Sequence, residues 1–227
     1  PCGMGSDTGG SVRLPAAYCG LVGLKVTAGR LPLQGVMPLS QTLDTPGPIA
    51  QTVLDCLIMF DVLDGREGWQ ITRDMEKDDG TYGMLNRGVS GLRLGSLNES
   101  ERQQCSDDVL ASYDMALDRL RLMGAEIITF ENPVSYGDMA DDNGMITAVE
   151  AFHNHGYLYK NPDLPMDEDV RARMLSGGRY HAHDYFGILQ QRKETMQAFG
   201  ESMRGFDALV MPSSTSTAPI VTEVDQA

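Results

Sequence analysis

The sequence predicts a layered α/β fold, and three observations carry the prediction. From Gly91 to Pro133 the chain reads strand, long amphipathic helix, strand, within about 40 residues, the spacing of a βαβ unit with two parallel strands. FDALVMP, residues 206–212, reads as a strong buried strand running into the small-residue loop SSTSTAP. Composition agrees: of 227 residues 41% are hydrophobic and 22% charged, ordinary for a globular chain that buries a core.

The elements follow in chain order. Residues 1–50 are rich in Gly and Pro around the apolar runs YCGLVGLKV and LPLQGVMPL, which predict short buried strands and loops. In QTVLDCLIMFDVLDG, residues Val53, Leu54, Leu57, Ile58 and Val62 recur at helical spacing, and Gly65 is a natural stop. Residues 66–91 are polar and charged and predict a surface connection. GLRLGSL, residues 91–97, is the first strand of the βαβ unit. Ser106 then stands as a helix cap; Val109, Tyr113, Ala116, Leu117, Leu120 and Met123 share one face; Gly124 ends the helix. AEIITFENP supplies the second strand. Residues 134–186 read as irregular, acidic and partly helical, and residues 187–204 as helical. Loops beyond strand C-termini, such as SSTSTAP, are where open α/β sheets hold ligands.

Charge narrows the partners. The formal net charge is −14, from 32 acidic and 18 basic residues, with no Lys/Arg cluster. That argues against nucleic acid, whose phosphates need a basic face, and fits simple solubility. Cys2, Cys19, Cys56 and Cys105 are scattered without a C-x-x-C pair, as expected of buried free thiols in a reducing compartment. No stretch reaches the roughly 18 apolar residues of a membrane span. No basic region precedes an apolar signal segment, so the predicted setting is the cytoplasm. The chain opens on Pro1, just before its most distinctive motif, and closes on VTEVDQA without an obvious terminal element. It is expected to be a segment of a longer protein.

That motif is GSDTGGSVR, residues 5–13. A phosphate loop needs Gly-Lys-Ser/Thr, which is absent. A dinucleotide loop needs a third Gly where Thr8 stands. The stretch can instead form an anion nest: Thr8, Gly9, Gly10 and Ser11 offer consecutive backbone N–H donors, and two residues without Cβ let the loop curl around them. Ser11 then sits where its hydroxyl can attack a carbonyl whose oxygen enters the nest. The plain alternative is a tight turn, the commoner role of a Gly-Gly-Ser stretch. The histidines form two H-x-H pairs, His153/His155 and His181/His183, but alternate residues share a face only on a strand, and neither segment reads as one. They are expected on the surface, with no metal and no cofactor.

A longer stretch gives the loop a context. GSDTGGSVR is followed by PAAYCGLVGLK, then T-x-G-R, then LDTPGPIAQTV. This run resembles the signature region of the amidase signature family of serine hydrolases, and GLRLGSL, LMGAEI and FDALVMPSSTSTAP continue the likeness more loosely. KVT replaces the family's usual Lys-Pro-Thr, which alters a turn. The resemblance implies an α/β/α fold with a central mixed β-sheet flanked by helices, of which residues 1–227 would be one central part. It implies a Ser–cis-Ser–Lys triad without histidine or metal. By motif position Ser11 is the nucleophile, and the N–H groups of Thr8, Gly9, Gly10 and Ser11 form the oxyanion hole. Asp7 and Arg13 support the loop by charge-assisted hydrogen bonds. Pro212, Ser213, Ser214 and Thr215 lie near the acyl pocket.

The family's cis-Ser and Lys fall upstream of this chain, and Lys25 matches a structural lysine of the family. General-base help is worth about 10²–10⁴-fold, so the chain alone is expected to be inactive or nearly so. Its truncated sheet would leave unpaired edges open to aggregation. The leading expectation is hydrolysis of a small-molecule carboxamide through a serine acyl-enzyme. The alternative is the glutaminase-type subunit of a tRNA-dependent amidotransferase; Leu14, where such subunits usually carry Gln, and the charge of −14 weigh against it. A third reading is a binding module that uses the loop as an anion nest. Oligomeric state is open, with a homodimer as the base expectation.

Overall fold

The computed structural model describes residues 1–77 and 80–224. The chain begins with β1 (Cys2–Asp7), turns through the Gly-rich loop into the short helix α1 (Arg13–Tyr18), and continues into β2 (Val22–Gly23). A long irregular segment then leads to β3 (Thr45–Ala50), which pairs antiparallel with both, giving the order β1-β3-β2. The apolar runs predicted as buried short strands are corrected here: β2 holds two residues of the first, Leu21 is exposed, and the buried strand is TPGPIA. β3 is central although it carries Pro46 and Pro48. β2 pairs with only Ile49 and Ala50, and just beyond it the Leu24 N–H donates to the Pro48 carbonyl at 3.0 Å, a bond that needs no N–H from the proline. Gly23 lets α1 settle on β2, because a Cβ there would stand 2.6 Å from the Val12 carbonyl oxygen.

Helix α2 (Val53–Leu63) starts where Thr52 accepts from the Asp55 N–H and stops before Gly65, at φ +87°. The predicted apolar stripe is divided: Leu57 is buried, whereas Val53 and Val62 are exposed. Residues 66–91, expected as a surface connection, contain α3 (Gly68–Glu76) and α4 (Gly80–Met84). Two buried apolar side chains, Ile71 and Tyr82, suffice to hold these polar helices on Leu57.

The βαβ unit appears as read. β4 (Arg93–Ser96) leads through α5 (Glu99–Arg102) and α6 (Asp107–Leu122) to β5 (Glu126–Thr129), parallel to β4 in register Leu94↔Ile127. Leu97, Tyr113 and Leu117 form its core. The Tyr113 hydroxyl accepts from the Leu97 N–H at 2.9 Å and donates to the Val210 carbonyl at 2.8 Å. Ser106 occupies the cap position without a side-chain cap bond; its N–H donates to the Thr215 carbonyl at 2.8 Å. Ala116 and Met123 of the predicted face are exposed.

Residues 134–186, expected to be irregular and partly helical, are largely helical. α7 (Tyr136–Tyr159) is 24 residues long and packs on α8 (Glu168–Ser176) and α9 (Ala182–Ser202). Buried Arg171 caps α7 by donating to the carbonyls of Tyr159 and Asn161. FDALVMP shortens to β6 (Ala208–Leu209), parallel to β4 in the order β5-β4-β6; Ala208 is exposed, because β6 is an edge strand.

The layered α/β class therefore holds. Strand directions are mixed between two three-stranded sheets, antiparallel where loops join strands and parallel where helices cross over. All four cysteines are free thiols, but Cys2 and Cys19 are exposed, which corrects the expectation of burial; each lies on an open edge or helix end. Among the described residues no helix is long and apolar enough to cross a membrane.

Candidate active site

The site is built on the turn between β1 and α1. Asp7 ends β1 and is fully buried. Its Oδ1 accepts from the Gly10 N–H at 2.8 Å and from Arg13 Nη2 at 2.9 Å; its Oδ2 accepts from the Val12 N–H at 3.2 Å and Arg13 Nε at 3.0 Å. Burial alone would push the Asp7 carboxyl up, but the Arg13 guanidinium and the two backbone donors outweigh it and hold the pKa below the ordinary value. Arg13 is held up in turn by the same carboxylate. This clamp forces the chain through Gly10 at φ +127°, a conformation that L side chains rarely adopt.

Ser11 sits at the tip of the turn and is exposed. The N–H groups of Thr8, Gly9 and Ser11 donate to no acceptor among the described residues, so three donors remain for an anion. Of the four expected donors, the Gly10 N–H donates to Asp7 Oδ1 as part of the clamp that shapes the turn.

A second clamp, which the sequence reading missed, holds the other side of the loop. Thr8 Oγ1 donates to Asp44 Oδ1 at 2.5 Å, and Asp44 Oδ2 accepts from the N–H groups of Leu39 and Ser40. Ser40 passes the connection on, its Oγ donating to Glu150 Oε2 at 2.5 Å. Glu150 also accepts from the Thr42 N–H and hydroxyl and from the Tyr185 hydroxyl, so a buried carboxylate ties the 39–45 segment to α7 and α9. Burial pushes the Glu150 carboxyl up, yet these hydrogen bonds bring it net below its ordinary value. Asn143 on α7 donates to the Thr8 carbonyl at 3.2 Å. The signal for both acids was faint: a lone acid in the apolar run LDTP, and one in AVEAF.

A cavity of ≈ 700 Å³ opens beside the loop, within the range of small-molecule sites. Thr8, Gly9 and Arg13 of the loop line it together with Lys25, Ile146 and Arg192; Ser11 is not part of the lining. Burial lowers the Lys25 pKa; Asp7 opposes this, and the charges of Arg13 and Arg192 add to it. Pro212, Ser213, Ser214 and Thr215 line a neighbouring cavity of ≈ 320 Å³, which shares Tyr136 and Ala140 with the larger one. Ser214 Oγ lies 3.0 Å from the Tyr18 hydroxyl on α1. The histidines stand apart from the loop. His155 contacts the Pro38 carbonyl at 2.6 Å, while His181 and His183 stack at the exposed start of α9.

Comparison with known proteins gives this geometry a setting. The family model described as Amidase matches residues 1–227. An amidase of Pseudomonas putida is 32% identical over 211 residues, covering 92% of this chain and 45% of the relative. One subunit of a glutamyl-tRNA(Gln) amidotransferase of Clostridium acetobutylicum is 28% identical over 241 residues, covering 94% of this chain and 50% of the relative. A crystal structure described as an amidase superposes with TM-score 0.82 at 25% identity, over 97% of this chain and 46% of that one. The chain thus spans about half the length of the curated relatives it matches.

Proposed function

The chain belongs to the Amidase family, and from that premise we propose that it carries the nucleophile and oxyanion site of an enzyme that hydrolyses carboxamides through a serine acyl-enzyme. One observation supports the reading above the rest. The loop that ends in exposed Ser11 is clamped from both sides and leaves three backbone donors free. Donors fixed before the reaction stabilise developing negative charge without reorganising, and losing one such donor costs about 10²–10³-fold in kcat.

In this mechanism Ser11 Oγ attacks the amide carbon and its proton passes to a base. The carbonyl oxygen, now negative, takes N–H bonds from Thr8, Gly9 and Ser11. The tetrahedral intermediate collapses to a Ser11 ester as the protonated amine or ammonia leaves. Water then attacks the ester, and the carboxylic acid is released. In the family pattern the base is a Lys acting through a cis-Ser, both upstream of Pro1 in sequence. We therefore expect residues 1–227 alone to be inactive or nearly so. Asp7 and Arg13 act as positioning residues, and Pro212–Thr215 border the acyl side. The four free thiols fit a cytoplasmic setting.

A second reading, the glutaminase-type subunit of a tRNA-dependent amidotransferase, draws on the Clostridium acetobutylicum relative. The net charge of −14 gives tRNA little to hold and favours the stand-alone amidase. Turnover of full-length protein and of Ser11→Ala on simple amides, read as released amine, tests the proposal. An enzyme loses turnover while the variant still binds amide. Turnover unaffected by Ser11→Ala would remove Ser11 from the mechanism.

A further inference from the structure

One buried carboxylate plays no part in the Gly-rich loop or its clamps. Glu101, on α5, is 6% exposed. Its Oε1 accepts from Asn132 Nδ2 at 2.8 Å and from the Tyr136 N–H at 2.9 Å. Its Oε2 takes no hydrogen bond, and no cation pairs with it among the described residues; neighbouring Arg102 is paired with Asp114 instead. Among the described residues the one fully buried side-chain polar atom without a partner is Asn132 Oδ1. Glu101 Oε2 therefore meets open space, and the space that Glu101 lines is the ≈ 320 Å³ cavity. That cavity lies where an α/β sheet holds ligands. The chain leaves β4 for β5 on one side, and β6 pairs with β4 on the other. Leu97 and Glu101 follow the carboxyl end of β4, and Ser213, Ser214 and Thr215 follow that of β6, so the cavity is built beyond the ends of two parallel strands at a switch point. Leu97, Tyr136 and Ala140 add apolar surface to the same lining.

We propose that this smaller cavity binds a primary alkylammonium group, which donates to Glu101 Oε2 while its alkyl chain packs on the apolar part of the lining. A buried carboxylate without a cation is costly, and a ligand that brings the cation offsets that cost. The hydroxyls of Ser213, Ser214 and Thr215 on the same lining offer further acceptors to an ammonium, which has three donors. A divalent metal ion is the poorer occupant. It needs about six oxygen ligands, and no group of three or more His, Cys, Asp or Glu could hold one among the described residues. The inference does not depend on the reaction carried out at Ser11.

The test titrates butylammonium and its neutral counterpart 1-butanol into full-length protein and into Glu101→Gln, with binding read by ligand-observed NMR. Glutamine keeps an oxygen for Asn132 and Tyr136 and changes the atom that faces the cavity; unchanged circular dichroism shows that the variant folds. Wild type binds butylammonium at least about tenfold more tightly than butanol. Glu101→Gln loses about 10- to 100-fold in butylammonium affinity, the range for a hydrogen bond to a charged group, and leaves butanol unchanged. Glu99→Gln, which removes an exposed acid two positions away, leaves both unchanged and so separates the site from the general pull of a net charge of −14. Equal or undetectable binding of the two probes, or a butylammonium affinity that Glu101→Gln leaves alone or that Glu99→Gln lowers as much, overturns the proposal. Two sources carry such a group, a free alkylamine and the amino end of an acyl chain. Amino-terminated amides of about four to six carbons, compared with the unsubstituted amides, tell them apart. A lower KM for the amino amide, lost in Glu101→Gln, assigns the site to substrate; equal KM values, or no turnover of either, assign it to the free amine.

Discussion

Asp7→Asn tests the loop clamp most sharply. Asp7 is 0% exposed and accepts two strong backbone bonds and two from the Arg13 side chain. Asparagine keeps the shape, loses the charge, and turns one acceptor into a donor aimed at other donors. Breaking a buried ion pair costs about 3–5 kcal/mol. The Arg13 side chain is 48% exposed, so solvent screens its share and the expected cost falls to about 2–3 kcal/mol. At about 2–4 °C per kcal/mol for a chain of this size, Tm drops by about 4–12 °C. Urea unfolding should show a lower midpoint at unchanged slope. Pairing the change with Arg13→Gln should return a coupling of about 1 kcal/mol or more. A loss under about 0.5 kcal/mol, the usual scatter of surface substitutions, would mean that the loop is held by something other than this clamp.

Three further outcomes are expected. The folded-state pKa of Glu150 lies below its ordinary 4.5, so the stability it contributes is fully present above that pH and is lost as pH falls through the folded value. Glu150→Gln should flatten the stability curve below pH 4.5, with Asp7→Asn as the control for a second buried, lowered carboxylate; a superimposable curve would contradict the assignment. Gly10→Ala, at φ +127°, should cost about 1–3 kcal/mol in urea unfolding, and no loss would mean that the turn relaxes freely. Tyr113→Phe leaves the Leu97 N–H and the Val210 carbonyl without their partner. It should cost about 1–3 kcal/mol and raise hydrogen exchange at Leu97, whereas unchanged exchange would remove the tyrosine from the sheet's support.

The parts of the fold that could be read from sequence were those where apolar periodicity is strong. β4, α6 and β5 fall where GLRLGSL, the Val109–Leu120 stripe and AEIITF place them. α7 escaped because, beside Ile146 and Tyr159, its buried face is made of Ala148, Glu150, Ala151 and Gly156, small or charged residues that carry little hydrophobic signal. α3 and α4 escaped because each buries a single side chain, Ile71 and Tyr82. At the site, the Asp7–Arg13 pair is local in sequence and was visible. The Thr8–Asp44 and Ser40–Glu150 contacts join residues 36 and 110 positions apart, and no local pattern marks them. The Gly10 N–H shows a different limit: a run of four donors looks uniform in sequence, while the turn's own geometry turns one of them inward.

The central claim is that Ser11 is an activated nucleophile whose base lies upstream in sequence. The most direct measurement is labelling with a fluorophosphonate probe, followed by peptide mass spectrometry, on residues 1–227 and on a form extended upstream. The account predicts an adduct on Ser11 in the extended form and little or none in the shorter chain. A folded, extended protein that carries no adduct on Ser11 would contradict it and leave the clamped loop as a binding element.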